Sequence, residues 1–370
     1  MNIKSLLLGS AAALAAVSGA HAADAIVAAE PEAVEYVRVC DAYGTGYFYI
    51  PGTETCLKIN GYIRFDVNYG FGEGFENGGL EDWNVRTRGQ VQFNAKSDTE
   101  YGTLTGVIVY QYNYRPNGIG GVDSASLGGA QNAMSMDQAY IDIAGLRVGK
   151  ILNWWDNDFS GEFDVTNSGT TSFNTIRYQY EDGSFYAGIA LEELTPVTTQ
   201  VDFNGDGDFN DPGETDVHGG NNLGIDAAVG GKVGDVTYEV LAGYDVDNKD
   251  GAVRVKLGAP IGPGTFGIAG IWSSGVSNYF TKGEWSVAAQ YAVKATDKLT
   301  FTPGVQYTKN IDAVNGEYES GNEWRAGVTI DYQIAENLSS KFAATYVKRD
   351  HDAAEDTDFV QGFFRLQRAF

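Results

Sequence analysis

The chain has 370 residues, a formal net charge of −24 and a sequence pI near 4.3. So strong an acidic balance argues against nucleic acid or an anionic membrane surface as a partner, because like charges repel. Mean hydropathy is −0.24, a soluble value on its face, yet a window average also cancels where apolar and polar residues alternate.

The chain begins with Lys4, an apolar run from Leu6 to Val17, and the small-x-small site Ala20-His21-Ala22. This pattern predicts a secretory signal peptide over 1–22, leaving 370 − 22 = 348 residues and, with Lys4 gone, a charge of −25. Residues 23–55 form an N-terminal segment that ends beside the barrel proposed below for 56–370. Cys40 and Cys56 are the two cysteines of the chain. In an exported protein they are expected to pair and close a short loop, two free thiols being the alternative. Such a crosslink stabilises by about 3 kcal/mol in the chain-entropy picture.

From residue 57 the hydrophobic period is two. Leu57, Ile59, Gly61, Ile63, Phe65, Val67 and Tyr69 fall on one face, and Lys58, Asn60, Tyr62, Arg64, Asp66 and Asn68 on the other. The next segment sets Trp83, Val85, Val91 and Phe93 against Arg86, Arg88, Gln90 and Gln92. Strands are predicted over 57–69, 83–96, 103–112, 136–144, 146–153, 172–180, 184–191 and 223–231. Further strands are predicted over 236–244, 251–258, 265–272, 284–293, 298–307, 323–332, 338–346 and 359–370. Pro303 lies inside one of them, where it removes a ladder donor. Long connections at 70–82, 113–135, 154–171, 192–222, 273–283, 308–322 and 347–358 alternate with short turns.

This is an all-β pattern: an antiparallel up-and-down transmembrane barrel of about sixteen strands. Strand ends gather aromatics such as Trp83, Tyr110, Trp272, Trp285, Trp324 and Tyr346, whose amphipathic rings suit a membrane–water interface. A lipid bilayer is therefore the expected surrounding. The chain closes on a strand ending at Phe370, since the last strand of a barrel must pair with the first. Phe364, Leu366 and Phe370 resemble the C-terminal signal through which barrel-insertion machinery recognises outer-membrane proteins.

The segment 202–214 resembles a calcium loop. Asp202, Asn204, Asp206 and Gly207 match template positions, while Glu214 falls one residue late and no helices flank it. A weakly bound Ca²⁺ and a solvated acidic loop are both open, and no other cofactor is expected. Catalysis has little to work with: the histidines are His21, His218 and His351, and no nucleophile motif is present. An enzyme is not expected.

The stretch "VRVCDAYGTGYFYIPGTETCLKINGYIRFDV", residues 37–67, resembles the N-terminal signature of the alphaproteobacterial general porins, and "AYIDIAGLRVGK", residues 139–150, continues the likeness. The resemblance implies a homotrimeric outer-membrane barrel that passes small hydrophilic solutes and ions by diffusion. It also implies a third long loop folded into the lumen. Here that loop is 154–171, with Asp156, Asp158, Glu162 and Asp164 and no base. Inward positions on the first, second and last strands hold Lys58, Arg64, Arg86, Arg88 and Arg365, so carboxylates are expected to face basic groups across a narrow passage. A solute-specific channel, with Tyr62, Trp154, Trp155 and Phe163 as an aromatic track, is the alternative. A soluble, secreted calcium-dependent binding protein is the more distant one.

Overall fold

The computed structural model describes residues 38–72, 83–114, 134–167, 170–194, 198–200, 215–217, 222–352 and 355–370. The short β1 (Phe48–Tyr49) precedes β2 (Cys56–Gly72), β3 (Trp83–Thr99), β4 (Gly102–Tyr114), β5 (Met134–Ile143) and β6 (Leu146–Leu152). Next come β7 (Ser172–Asp182), β8 (Phe185–Leu194) and a small hairpin of β9 (Thr198–Gln200) and β10 (Thr215–Val217). The chain continues through β11 (Asn222–Val233), β12 (Val236–Asp245), β13 (Asp250–Ile261), β14 (Gly264–Ser273) and β15 (Trp285–Lys294). It ends with β16 (Leu299–Val314), β17 (Glu317–Ala335), β18 (Leu338–Asp350) and β19 (Thr357–Ala369).

Apart from β1, which pairs with the start of β2 and bridges Val39, the large sheet runs β2 to β8 and β11 to β19 in chain order, all antiparallel. It closes because β19 pairs with β2, from Phe359 opposite Gly72 to Ala369 opposite Tyr62. One more rung follows: Phe370 and Gly61 exchange backbone hydrogen bonds of 3.0 Å each. A Cβ on Gly61 would fall 2.1 Å from the Gln90 carbonyl and 3.0 Å from the Phe370 ring. The terminal aromatic therefore lies over a glycine at the seam. Closure leaves the sixteen barrel strands with no open edge.

Burial is inverted relative to a soluble β-protein. On β13, Val253, Val255 and Leu257 are exposed while Arg254 is fully buried; on β8, Ile189 and Leu191 are exposed while Glu192 is buried. An apolar outer face and a polar inner one suit lipid outside and water inside. Trp83 and Trp285 are exposed at strand starts; Trp324, exposed within β17, packs on Tyr307 with ring centroids 4.7 Å apart.

Two local expectations change. The connection expected at 308–322 is a strand extension, since β16 and β17 continue to a two-residue turn at Asn315-Gly316 with φ of 51° and 87°. Both turn residues are left-handed, the geometry for which Asn-Gly is suited. Pro303 is accommodated in β16 because it pairs with Val328 on one side only. On the other side the ladder skips from Gln290–Gly304 to Val293–Phe301, so its absent N–H is not needed.

Candidate functional site

The connection between β6 and β7 begins with a 3-10 turn, Trp154–Asp156, in which the Asn157 N–H donates to the Trp154 carbonyl at 3.2 Å. Trp154, Trp155 and Phe163 are buried, Trp155 completely. The indole N–H of Trp155 donates to Asp226 on β11 (3.2 Å), and that of Trp154 to Gln179 on β7 (3.0 Å). Phe163 sits over Gly304, where a Cβ would fall 2.1 Å from its ring. The wall is thinned where the aromatic lands.

Further along, backbone N–H groups of the same segment are taken up by wall side chains. Gly161 donates to Gln290 on β15 (2.9 Å), Glu162 to Thr329 on β17 (2.8 Å) and Val165 to Gln306 on β16 (2.7 Å). Arg254 on β13 donates to the carbonyls of Trp154, Trp155, Asn157 and Thr166. A second connection, 274–283, packs against the first. Tyr279 and Phe280 are fully buried, Tyr279 donates to Glu192 at 3.0 Å, and its ring lies 6.0 Å from that of Trp155. Sequence reading gave 273–283 no role, because two buried aromatics in a non-periodic loop carry no pattern.

Of the four candidate acids, Glu162 meets the wall bases: its carboxylate accepts from Lys341 on β18 at 2.7 Å and lies 3.9 Å from Arg365 on β19. Asp156 accepts from Thr171 (2.7 Å), Asp158 from Asn167 (2.9 Å) and Asp164 from Thr166. Asp158 is reached by solvent yet walled in by protein. This desolvation, with Asp164, Asp156 and Glu162 nearby, pushes its carboxyl up to about 6. Burial also raises Asp164, against the hydrogen bond from Thr166.

The candidate bases cluster on β2, β3 and β19. Asp66, fully buried, bridges Arg86 and Arg365, the latter at 2.7 Å. Arg64 stands opposite Arg88 in register, lies over the Tyr62 ring at 4.6 Å and donates to Gln367; Arg88 donates to Asn113. Lys58 is not grouped with them. Its ammonium donates to the Thr45 carbonyl at 3.1 Å and faces Tyr47, so it holds the N-terminal segment instead. Lys341, Lys256, Arg254, Glu239 and Asp331 were not singled out from sequence, where each reads as one more lumen-facing charge on a strand.

Cys40 and Cys56 form a disulfide with Cα atoms 6.0 Å apart, packed with Tyr43, Tyr47 and Tyr49. Among the described residues no group of three or more His, Cys, Asp or Glu could hold a metal ion. Asp202, Asn204, Asp206 and Glu214 lie outside the described residues, as does the signal segment 1–22. Of the aromatic track proposed for a solute-specific channel, Trp154, Trp155 and Phe163 are buried against the wall, while Tyr62 is half-buried beneath Arg64.

Comparison with known proteins agrees with this architecture. A family profile described as "Porin subfamily" matches residues 24–364. The chain is 50% identical to outer membrane protein IIIA of Rhizobium leguminosarum bv. viciae, over 98% of this chain and 93% of that protein. It is 35% identical to porin Omp2b of Brucella canis over the full length of both. The outer membrane channel DcaP of Acinetobacter baumannii shares the fold, with a TM-score of 0.62 at 13% identity, covering 87% of this chain and 99% of that one. With its closed sixteen-strand wall, lipid-type outer face and polar interior, the chain belongs to the porin family and forms an outer-membrane channel for passive diffusion.

Proposed function

We propose that residues 153–167 cross the lumen and form a charged constriction. The observation that carries this is the ion pairing of Glu162 with Lys341 and Arg365. The segment leaves the wall between β6 and β7, whereas β18 and β19 lie well round the ring on the far side of the seam. On a closed ring, a chain anchored first to β13, then to β15, β17 and β18, and returning past β16 to β13 runs along the inside. Asp156, Asp158 and Asp164 then line one side of the passage and Arg64, Arg86 and Arg88 the other. Glu162 closes onto Lys341 and Arg365 where the segment meets the wall, and Lys58 stands apart.

Such a transverse field orients water and dipolar solutes and grades ions by charge. Two unit charges about 8 Å apart interact by only ~0.5 kcal/mol in bulk water, so selectivity is modest and weakens as salt shortens the screening length. A general diffusion pore with mild cation preference is the reading these groups support.

The assembly reading is a homotrimer in the bilayer, as the family resemblance implies, after removal of a signal peptide over 1–22. Phe364, Leu366 and Phe370 serve insertion, a reading supported by the Phe370–Gly61 rung at the seam. Deleting Phe370 is then expected to slow insertion while export proceeds; insertion at the parent rate would refute that role. The constriction itself is tested by placing cysteines at Glu162 and Lys341 and treating the folded protein with a short bis-maleimide. An intramolecular crosslink that lowers conductance is expected. No crosslink in correctly folded protein would place the segment elsewhere.

A further inference from the structure

Arg254 on β13 is fully buried, and no solute can touch it. Its Nη1 donates to the carbonyls of Trp155 at 3.0 Å and Thr166 at 2.9 Å, and its Nη2 to those of Trp154 at 3.1 Å and Asn157 at 2.9 Å. The same Nη2 meets Glu239 on β12 at 3.1 Å. Glu239 in turn accepts from the Asn157 side chain at 2.7 Å and from Tyr186 at 2.8 Å. Beside it, Lys256 donates to the Asn157 carbonyl.

Four carbonyls from two stretches of one loop converge on a single planar cation. Three belong to the 3-10 turn and the residue after it, where helix-end carbonyls look for further donors, the Trp154 carbonyl already taking the Asn157 N–H. The fourth, Thr166, lies at the returning end of the loop. A guanidinium presents five N–H donors in a fixed fork, and an ammonium has three and no fork. Only the former suits this arrangement.

We propose that Arg254, oriented by Glu239, is the positioning residue of the constriction: it clasps the outgoing and returning ends of segment 153–167 together and so fixes the pore-lining side chains between them. The proposal rests on the reading of that segment as the constriction. Its consequence is that pore geometry is set by a wall residue that never meets the solute. Between the clasped ends lie Asp158, Glu162 and Asp164, presented toward Lys341 and Asp331.

Asp158 gives a readout separate from folding. It is faced by Asp156, Glu162 and Asp164 on its own segment and by Arg254 and Lys256 from the wall. Its elevated titration near 6 comes first from enclosure. A loosened loop admits water, and the titration falls back toward the ordinary carboxylate range.

The test is planar-bilayer recording of the purified full-length channel, wild type against Arg254→Lys, Arg254→Met, Glu239→Gln and Lys256→Met, with reversal potential followed from pH 8 to pH 4. Both Arg254 variants are expected to give noisier currents. The selectivity midpoint is read on Arg254→Lys, where it is expected to fall by more than one pH unit, because Arg254→Met also removes a cation that holds the Asp158 carboxyl down. Arg254→Lys does so although it keeps the charge. Lys256→Met removes a cation beside Asp158 without touching the clasp and is expected to move the midpoint upward with quiet current. Glu239→Gln, which removes the carboxylate that orients Arg254, is expected to lower the midpoint by less than Arg254→Lys and serves if the Arg254 variants fail to fold. A wild-type midpoint and quiet current in Arg254→Lys would show that only charge is needed and overturn the clasp. A wild-type midpoint and quiet current in Glu239→Gln, were the Arg254 variants not to fold, would also overturn it. Asp158→Asn separates the two readings. If it leaves the wild-type pH step in place, the constriction reading fails; if it abolishes the step while Arg254→Lys keeps it at the wild-type midpoint, only the clasp fails.

Discussion

Two arcs of the same wall are built differently. From β8 to β14 the inner face is filled: Ala228, Leu241, Ala252 and Ile271 pack with Trp155, Tyr279 and Phe280 in one buried cluster. On β2, β3 and β19 the inner face stays open, with Arg64, Arg86, Arg88 and Arg365 half-buried around Asp66. Small residues on the first arc make room for loop aromatics; long charged ones on the second reach into water. On the proposed reading of the constriction, a barrel of fixed strand number obtains an off-centre passage by filling one side of itself. On the filled arc, charges such as Arg254 and Glu239 are buried and paired with each other or with loop carbonyls; on the open arc the arginines are half-buried.

The sharpest way to break this division is Trp155→Ala. Removing a fully buried indole from the filled arc is expected to cost about 3–5 kcal/mol, seen as a lower temperature for loss of the heat-modifiable folded band, together with a larger conductance. If stability is unchanged, the filled arc is not what holds the loop. Next in size is Asp66→Asn on the open arc. It leaves Arg86 and Arg365 without their shared carboxylate and is expected to swing reversal potential toward anions, with a smaller loss of stability than Trp155→Ala. A shift toward cations, or none, would mean that the arginine cluster does not line the path.

A smaller effect is expected from pH alone. Asp158 carries a carboxyl raised to about 6, so its ionised form is disfavoured in the folded loop. It takes up a proton as pH falls from neutral through 6, which relieves that cost and removes one negative charge from the passage. Cation preference should therefore fall between pH 7 and pH 5. A preference flat over that range would place the titration elsewhere. Smallest for the barrel is loss of the Cys40–Cys56 bridge by Cys→Ser replacement. Its stabilisation of ~3 kcal/mol in the chain-entropy picture belongs to the N-terminal segment, which should become protease-sensitive while the barrel's thermal transition stays put.

The barrel was legible because alternation is a local signal: each strand of the ring announces itself within ten residues or so, and Cys40–Cys56 needed only an exported context. Turn chemistry was underused, since Asn315-Gly316 marks a hairpin where an open loop was expected. The filled arc was not legible at all. Arg254 reaches loop carbonyls 88 to 100 residues away in sequence, and Tyr279 meets Glu192 across 87. Nothing local distinguishes an inward arginine that clasps a loop from one that faces water. Lys58 shows the converse: it shares an inward position with Arg64, yet the disulfide-held segment captures it.

The central claim is that the carboxylates of 153–167 and the arginines of the open arc share one conducting path. Reversal potential in a low-salt gradient, measured for Asp156→Asn with Asp158→Asn and for Arg86→Gln with Arg88→Gln, tests it most directly. The first pair is expected to move the potential toward anions and the second toward cations, with folding intact in both. If neither pair moves it while both channels conduct, the segment does not line the pore and the account is wrong.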